Sequence, residues 1–139
     1  MRAAIIFLVL VAFAARALAE PEIRVIVHAK NPAAKLDKQF VADAFLKKRT
    51  RWGNDSAIQV VDLGVKTAAR ATFSRAMLGR TVDAVRRYWA QLVFSGRGVP
   101  PPELGTEADV VAYVAAHPGA IGYVSSGADL VGVKTVEVQ

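Results

Sequence analysis

The chain has 139 residues, of which 53% are hydrophobic and 22% are charged, and it contains no cysteine. This length and composition predict one globular domain that can bury a core without disulfides or a structural metal. The lack of cysteine excludes thiol catalysis, cysteine zinc sites, iron–sulfur clusters and a lipidated cysteine.

The first nineteen residues have the layout of a cleavable secretory signal peptide. Met1 and Arg2 give a positive start, residues 3–15 are almost entirely apolar, and Ala17-Leu18-Ala19 is a small-x-small cleavage site. A membrane anchor is the alternative, but these thirteen apolar residues rise only about 20 Å as a helix, short of the roughly 30 Å hydrocarbon core. We therefore expect cleavage after Ala19 and a periplasmic or secreted domain, residues 20–139, without stable membrane insertion.

Export changes the charge balance of the chain. Removal of Arg2 and Arg16 leaves 16 basic and 12 acidic side chains, a formal net charge of +4. A basic exported protein is expected to meet anionic ligands, envelope polymers or lipid headgroups, because charge of one sign steers oppositely charged partners. The densest basic run, residues 47–52, has the composition of a nucleic-acid patch. It is better interpreted as the solvated end of a helix, where cations complement the helix dipole, and no nucleic-acid partner is predicted.

The first half of the domain predicts strand, helix, strand and helix in that order. A run of mostly Ile and Val at 23–28 predicts a buried strand, and Asp37 caps a helix with apolar residues at helical spacing. A turn at 53–56 precedes a second predicted strand, 58–63, and a second helix ends at Gly79. The apolar positions of the two helices are Phe40, Val41, Ala44, Phe45, Ala69, Phe73, Ala76 and Met77.

The second half predicts two helices and two strands. Thr81 begins a helix whose apolar stripe is interpreted as core packing, and the prolines at 100–102 form a stiff loop. Thr106 and Asp109 resemble a capping box at the start of a helix that stops at 117–119. The stripe of the third helix comprises Val82, Val85, Trp89, Leu92 and Val93. With strands near 121–124 and 131–138, the alternation of strands and helices predicts an α/β layer fold.

No catalytic or metal-binding constellation is apparent. His28 and His117 lie at a strand end and a helix end without partners at metal-ligand spacing, and no serine occupies a G-x-S-x-G elbow. Residues 64–67 lack the first glycine of a Walker loop. The aspartates have ordinary cap, turn or surface interpretations: Asp37, Asp43, Asp55, Asp62 and Asp83. The sequence therefore predicts no enzyme, cofactor or metal site.

An anion site is predicted where residues 64–72 lead from a strand end into a helix start. Backbone N–H groups and the positive end of the helix dipole favour an oxyanion there, and ligands of open α/β sheets lie beyond the carboxyl ends of strands. The residues for this site are Lys66, Thr67, Arg70 and Thr72. Thr67 offers a hydroxyl donor, and Arg70 offers a two-pronged guanidinium that matches phosphate or sulfate. Alternatively, Thr67 is only an N-cap and the two cations are solvated.

Several segments of the chain resemble a known family. They are Asn31-Pro32, Phe45-Leu46 through Trp52, Phe73, Tyr88-Trp89, Phe94-Ser95-Gly96 and above all residues 118–124, Pro-Gly-Ala-Ile-Gly-Tyr-Val. This pattern resembles the second lobe of the phosphate-binding proteins of ABC transporters, over residues 23–138. The resemblance implies a single lobe of a type 2 periplasmic-binding fold, with a mixed sheet flanked by about four helices. Gly122 suits a close backbone approach within its strand.

Two departures from the family pattern concern the ligand. The family's Ser-Gly-Thr phosphate cradle corresponds to Thr67-Ala68-Ala69 here, and an added Cβ weakens a cradle that backbone must form. The glycine expected after Phe45-Leu46 is Lys47, which puts that turn in doubt. A single lobe also offers half a cleft, so tight capture needs a homodimer or an envelope partner that supplies the other face.

Two functional hypotheses follow. The first is an exported solute-binding-like protein that binds phosphate or a similar oxyanion weakly, in connection with transport or sensing. The second is an exported protein-interaction module on a lobe that has lost its small ligand, with Arg97, the proline loop or the run 47–51 facing a partner. Ala68 and Ala69 favour the second hypothesis, whereas Thr67, Arg70 and the basic balance favour the first.

Overall fold

The computed structural model describes residues 21–139, which form seven strands and four helices. The strands are β1 (Ile23–His28), β2 (Lys35–Leu36), β3 (Gln59–Val60), β4 (Asp62–Leu63), β5 (Glu103–Leu104), β6 (Ala120–Ser125) and β7 (Val133–Val138). The helices are α1 (Lys38–Phe45), α2 (Ala68–Phe73), α3 (Val82–Phe94) and α4 (Glu107–Ala116). A π-helical segment, Ser74–Leu78, follows α2 directly. The predicted signal peptide lies outside the described residues.

The main sheet is mixed and has the strand order β2-β7-β1-β6-β3. Strand β1 is antiparallel to both β6 and β7, while β2 is parallel to β7 and β3 is parallel to β6. Strands β4 and β5 form a separate parallel pair. The prediction of an α/β fold with a mixed sheet and about four helices is confirmed.

Helices cover both faces of the central strands. Gly122 of β6 faces α4 so closely that a Cβ at this position would lie 2.8 Å from Val110 Cγ1, which confirms the predicted close approach. The next residue, Tyr123, points to the opposite face and stacks on Phe73 of α2 with ring centroids 3.8 Å apart. Successive strand residues alternate in direction, so α4 and α2 lie on opposite sides of the sheet. This three-layer arrangement explains the apolar runs in β1 and β6.

The predicted strand over 58–63 is divided into two strands in different sheets. Val60 pairs with Ile121 of β6, whereas Asp62 pairs with Glu103 of β5. Val61 lies between them and donates its N–H to the Ile121 carbonyl. The chain changes partner strand here because the segment passes from the edge of the main sheet to β5. Sequence periodicity does not encode this change of partner.

The second helix ends at Gly79 as predicted, and Ala69, Phe73 and Met77 of its predicted apolar face lie in or against the core, but Ala76 does not. Gly79 has φ +63°, the left-handed conformation that ends helices. Ala76 is exposed and Met77 is half-buried, whereas Ser74 is fully buried and donates its hydroxyl to the Arg80 carbonyl. The wider π-helical turn rotates the residues after Phe73 away from the positions that a regular helix predicts.

The third helix packs on the core with only part of its apolar stripe. Thr81 caps the helix as predicted, since its Oγ1 accepts the Ala84 N–H at 3.1 Å. Val85 and Trp89 are buried, but Val93 is 51% exposed and Phe94 is 95% exposed. The interpretation of the whole stripe as core is therefore wrong for Val93, because no described element covers the C-terminal end of α3.

The turn after α1 places Lys47 in a left-handed conformation at the position where the family pattern has glycine. Lys47 adopts φ +53°, a left-handed conformation that favours glycine. Its N–H donates to the Ala44 carbonyl at 3.1 Å. Residues 47–51 are all exposed and follow the helix end, so the basic run is solvated, as predicted.

We predict that Lys47→Gly stabilises the protein by about 0.5–1 kcal/mol, because glycine adopts this conformation without a Cβ clash. The measurement is urea unfolding followed by circular dichroism. Lys48→Gly, at the neighbouring exposed position, is the control and is expected to be neutral or destabilising, since the structure gives Lys48 no positive φ. Equal effects of the two substitutions would contradict the argument.

Candidate functional site

The predicted anion-binding segment lies between β4 and α2, as the sequence suggested. Leu63 ends β4, and Thr67 is the N-cap of α2. The Thr67 hydroxyl accepts the Arg70 N–H at 3.2 Å and donates to the Gly64 carbonyl at 2.9 Å. The hydroxyl therefore already donates one hydrogen bond and accepts one within the chain. The two bonds hold the loop in place and cap the first turn of α2.

Arg70 is buried and points into the protein. Its side chain is only 3% exposed. Nη1 donates to the Leu63 carbonyl at 2.7 Å and lies 3.3 Å from both Asp62 Oδ2 and Glu103 Oε1. Nε of the same guanidinium is buried without a partner. The guanidinium is thus neutralised by two carboxylates of the chain itself, and it is not solvated as the simpler alternative assumed.

Asp62 is the centre of this buried network. Its Oδ1 accepts a short hydrogen bond from the Tyr123 hydroxyl and another from the Leu63 N–H at 2.9 Å. Burial raises the pKa of Asp62, although the Arg70 charge and the two hydrogen bonds oppose this shift. Burial, together with the neighbouring Asp62, also raises the pKa of Tyr123, so the phenol remains a neutral donor.

The four predicted site residues do not converge on one point. Thr67 and Arg70 are joined by the cap hydrogen bond, and Lys66 is exposed in the loop immediately before them. Thr72 is half-buried and lies two residues beyond Arg70. Helix positions i and i+2 do not share a face, so Thr72 and Arg70 point to different sides of α2. Oxyanion binding by these residues stays a prediction.

Sequence reasoning missed the three residues that contact Arg70 or its partner: Asp62, Glu103 and Tyr123. The interpretation of Asp62 as an ordinary cap, turn or surface residue is wrong, because its residue exposure is 6%. The usable signal was an aspartate within the apolar run 58–63, because a buried carboxylate needs a cation and hydrogen-bond donors. Which residues serve as those partners depends on the distant segments that the fold brings together.

Within residues 21–139, no group of three or more His, Asp or Glu side chains is placed to hold a metal ion. The helices of this range include none that is long and apolar enough to cross a bilayer.

The geometry is that of a three-layer α/β domain with a loop from a strand end into a helix start, where ligands of open α/β sheets lie. Residues 13–137 match the family model described as a PBP superfamily domain, and the chain belongs to this family. A search of curated proteins gave no significant match.

Solved structures of phosphate-transport proteins share the fold. An ABC-type phosphate transport receptor from Vibrio cholerae superposes with a TM-score of 0.67 at 16% identity, covering 85% of this chain and 46% of that chain. A putative phosphate ABC transporter substrate-binding protein from Clostridium perfringens, solved with bound phosphate, gives 0.67 at 23% identity, covering 85% and 45%. A possible phosphate-binding protein from Planctomyces limnophilus gives 0.65 at 14%, covering 86% and 42%. The chain spans less than half of each of these proteins, in agreement with the expected single lobe.

We predict that Arg70→Met destabilises the protein by about 3–5 kcal/mol, since it leaves the Asp62 carboxylate buried without its cation. Urea unfolding at neutral pH measures the change. Arg87→Met, at an exposed position of α3, is the matched control and should change stability by less than about 0.5 kcal/mol.

A double variant, Arg70→Met with Asp62→Asn, separates the loss of a charge partner from the loss of packing. It is expected to recover part of the stability, because both members of the pair are then uncharged. A double variant no more stable than Arg70→Met would contradict the assignment of a buried ion pair.

Proposed function

We propose that this chain is an exported, non-enzymatic binding-protein lobe that acts by docking on a protein partner in the cell envelope. The observation that carries the proposal is the neutralisation of Arg70 by Asp62 and Glu103 at 3% exposure. An arginine held by internal carboxylates has little charge left for a dissolved oxyanion. The lobe is retained, while its strongest anion-binding group is used for folding.

A candidate docking surface lies at the end of α3. The α3 tip comprises Val93, Phe94 and Val99, which are 51%, 95% and 64% exposed. The following loop folds back on the helix, since a Cβ on Gly98 would lie 3.8 Å from Trp89 Cζ3 and 4.0 Å from Leu92 Cβ. Large exposed apolar side chains grouped in this way are typical of interaction sites.

Arginines accompany the α3 tip. Arg87 and Phe94 are separated by seven residues, two helical turns, and therefore share a face of α3. Arg86 precedes Val93 by the same spacing, and Arg97 lies in the loop, where its Nε donates to the Ser95 hydroxyl at 3.1 Å. All three arginines are exposed. Charge complementarity then favours a partner that has an apolar pocket with an acidic rim.

A second candidate function is weak oxyanion binding at the start of α2. It is supported by the shared fold with the Clostridium perfringens protein that holds phosphate, and by the exposed Lys66 beside the Thr67 cap. A half-cleft leaves an anion in contact with water, so the expected affinity is about millimolar, or about 4 kcal/mol. Transport or sensing would then require a dimer or a partner that covers the anion.

Calorimetry with phosphate and sulfate at fixed salt distinguishes the two functions. The docking proposal predicts no saturable heat up to roughly 20 mM anion. Saturable heat that is lost in Lys66→Ala and Thr67→Ala, but retained in the exposed control Lys38→Ala, would instead establish the oxyanion site.

Site-specific photo-crosslinking in the producing cells tests the docking surface directly. A crosslinker at position 94 is expected to give one protein adduct of discrete mass, and a crosslinker at Val131, which is 68% exposed elsewhere, is expected to give none. Because the arginines are proposed to meet an acidic rim, Arg86→Glu with Arg87→Glu should remove the adduct, whereas Lys48→Glu should retain it. Adducts only to lipid, or an adduct unaffected by the charge reversals, would overturn the proposal.

A further inference from the structure

A groove of about 820 Å³ lies at the opposite end of the main sheet from the start of α2. We call it the distal groove, and its walls come from the segments 30–40, 49–59 and 118–119. Residues 30–33 follow the end of β1, and Pro118 and Gly119 precede the start of β6. These ends are adjacent because β1 and β6 are antiparallel, with Val27 opposite Ile121.

The distal groove and the α2 start are separate places. Strand β3 runs parallel to β6 and begins beside the groove, with Gln59 opposite Ala120. The chain then proceeds through β4 toward the other end of the sheet before it reaches Thr67. A ligand in the groove would therefore touch none of Lys66, Thr67, Arg70 or Thr72, which are absent from its lining.

A stacked aromatic pair forms one wall of the groove. The rings of Phe40 and Trp52 have centroids 5.5 Å apart and an interplanar angle of 29°. The Trp52 indole donates to the Gly119 carbonyl at 2.9 Å. A Cβ at Gly119 would lie 2.5 Å from the Ala57 carbonyl oxygen, so glycine is required for this close contact. The aromatic wall is thus fixed in position before any ligand binds.

The charge of the groove has one sign. Lys30 and Arg49 are its charged lining residues, and the lining contains no Asp or Glu. Arg49 lies over the Phe40 ring, 4.7 Å from its centroid. Within residues 21–139, neither cation takes part in an ion pair, whereas the nearby Arg51 is paired with Asp55 at 3.9 Å. Arg49 Nε donates to the Arg51 carbonyl at 3.4 Å, so the Nη groups of Arg49 and the Lys30 ammonium are the groups offered to an anion.

We propose that the distal groove binds a small aromatic carboxylate, with the ring against half-buried Phe40 and the small exposed part of Trp52, which is 8% exposed, and the carboxylate against Arg49 and Lys30. Flat apolar surface and a planar guanidinium favour this class over inorganic oxyanions, which have no apolar body to place on the rings. Asn31, which is 8% exposed, borders the same space, and its Oδ1 accepts the Ala33 N–H at 2.9 Å. The site is independent of the proposed docking through α3.

The test is calorimetric titration of the purified protein with 3-phenylpropionate, using 3-phenylpropanol and acetate as the two half-ligands. We expect saturable binding of phenylpropionate, with at least fivefold weaker binding of the alcohol and none of acetate. N-acetyl-phenylalanine forms a second arm, because a peptide C-terminus carries the same chemistry as a free aromatic acid. Stronger binding of that compound would identify a peptide end as the source of the carboxylate.

Variants assign the binding to the groove. Arg49→Gln should weaken phenylpropionate binding at least fivefold, whereas Arg51→Gln, two residues away and paired with Asp55, should leave it within twofold. The chain has only two tryptophans, Trp52 and Trp89, so fluorescence of a Trp89→Phe variant reports on Trp52 alone and should change with ligand. Absence of binding to wild-type protein up to roughly 20 mM, or equal binding of acid and alcohol, would overturn the proposal even if the tryptophan variant does not fold.

Discussion

The buried pair of Asp62 and Arg70 holds together the four elements that surround the start of α2. Asp62 belongs to β4 and Arg70 to α2, while Tyr123 binds Asp62 from β6 and Glu103 contacts Arg70 from β5. Each charge has been removed from water, which is unfavourable unless the partner and its hydrogen bonds remain in place. Strand β4, helix α2 and strand β6 therefore have to be arranged together. The direction of α2 is set by this internal electrostatic contact.

This arrangement changes which charged groups the lobe presents to solvent at the start of α2. In a site for a dissolved anion, cationic side chains face solvent and have no counter-ion from the protein until the anion binds. Here the counter-ions are carboxylates of the same chain, and Glu103, with 43% of its side chain exposed, lies at the boundary with solvent. The remaining exposed cation of the segment is Lys66. Membership of the family is thus compatible with an arginine at this helix start that is held by carboxylates of the chain itself.

Local sequence patterns predicted most of the elements. The apolar runs at 23–28 and 121–124 identified the two central strands, and Thr81, Thr106 and Gly79 marked helix ends that the structure confirms. The two-residue strands β2 and β5 have no pattern of their own, because a strand of that length exists only through its partner.

The candidate site was predicted less completely, for a physical reason. Thr67 is an N-cap defined by its own neighbours, so its position was accessible from sequence. The state of Arg70 depends on Glu103 and, through Asp62, on Tyr123, which are 33 and 61 residues from their partners. The distal groove likewise combines three separate segments of the chain. Such contacts follow from topology, which periodicity and capping signals do not specify.

The two outer strands of the main sheet, β2 and β3, are only two residues long. Exposed backbone donors and acceptors on long outer strands invite pairing with other chains, whereas very short ones offer almost no ladder to extend. Strand β1 is paired on both sides, whereas β7 has β2 beside it only at Glu137 and Val138, and β6 has β3 beside it only at Ala120 and Ile121. An added strand from another molecule would therefore have to pair with the uncovered parts of β6 and β7 in the main sheet, because β2 and β3 are too short to extend.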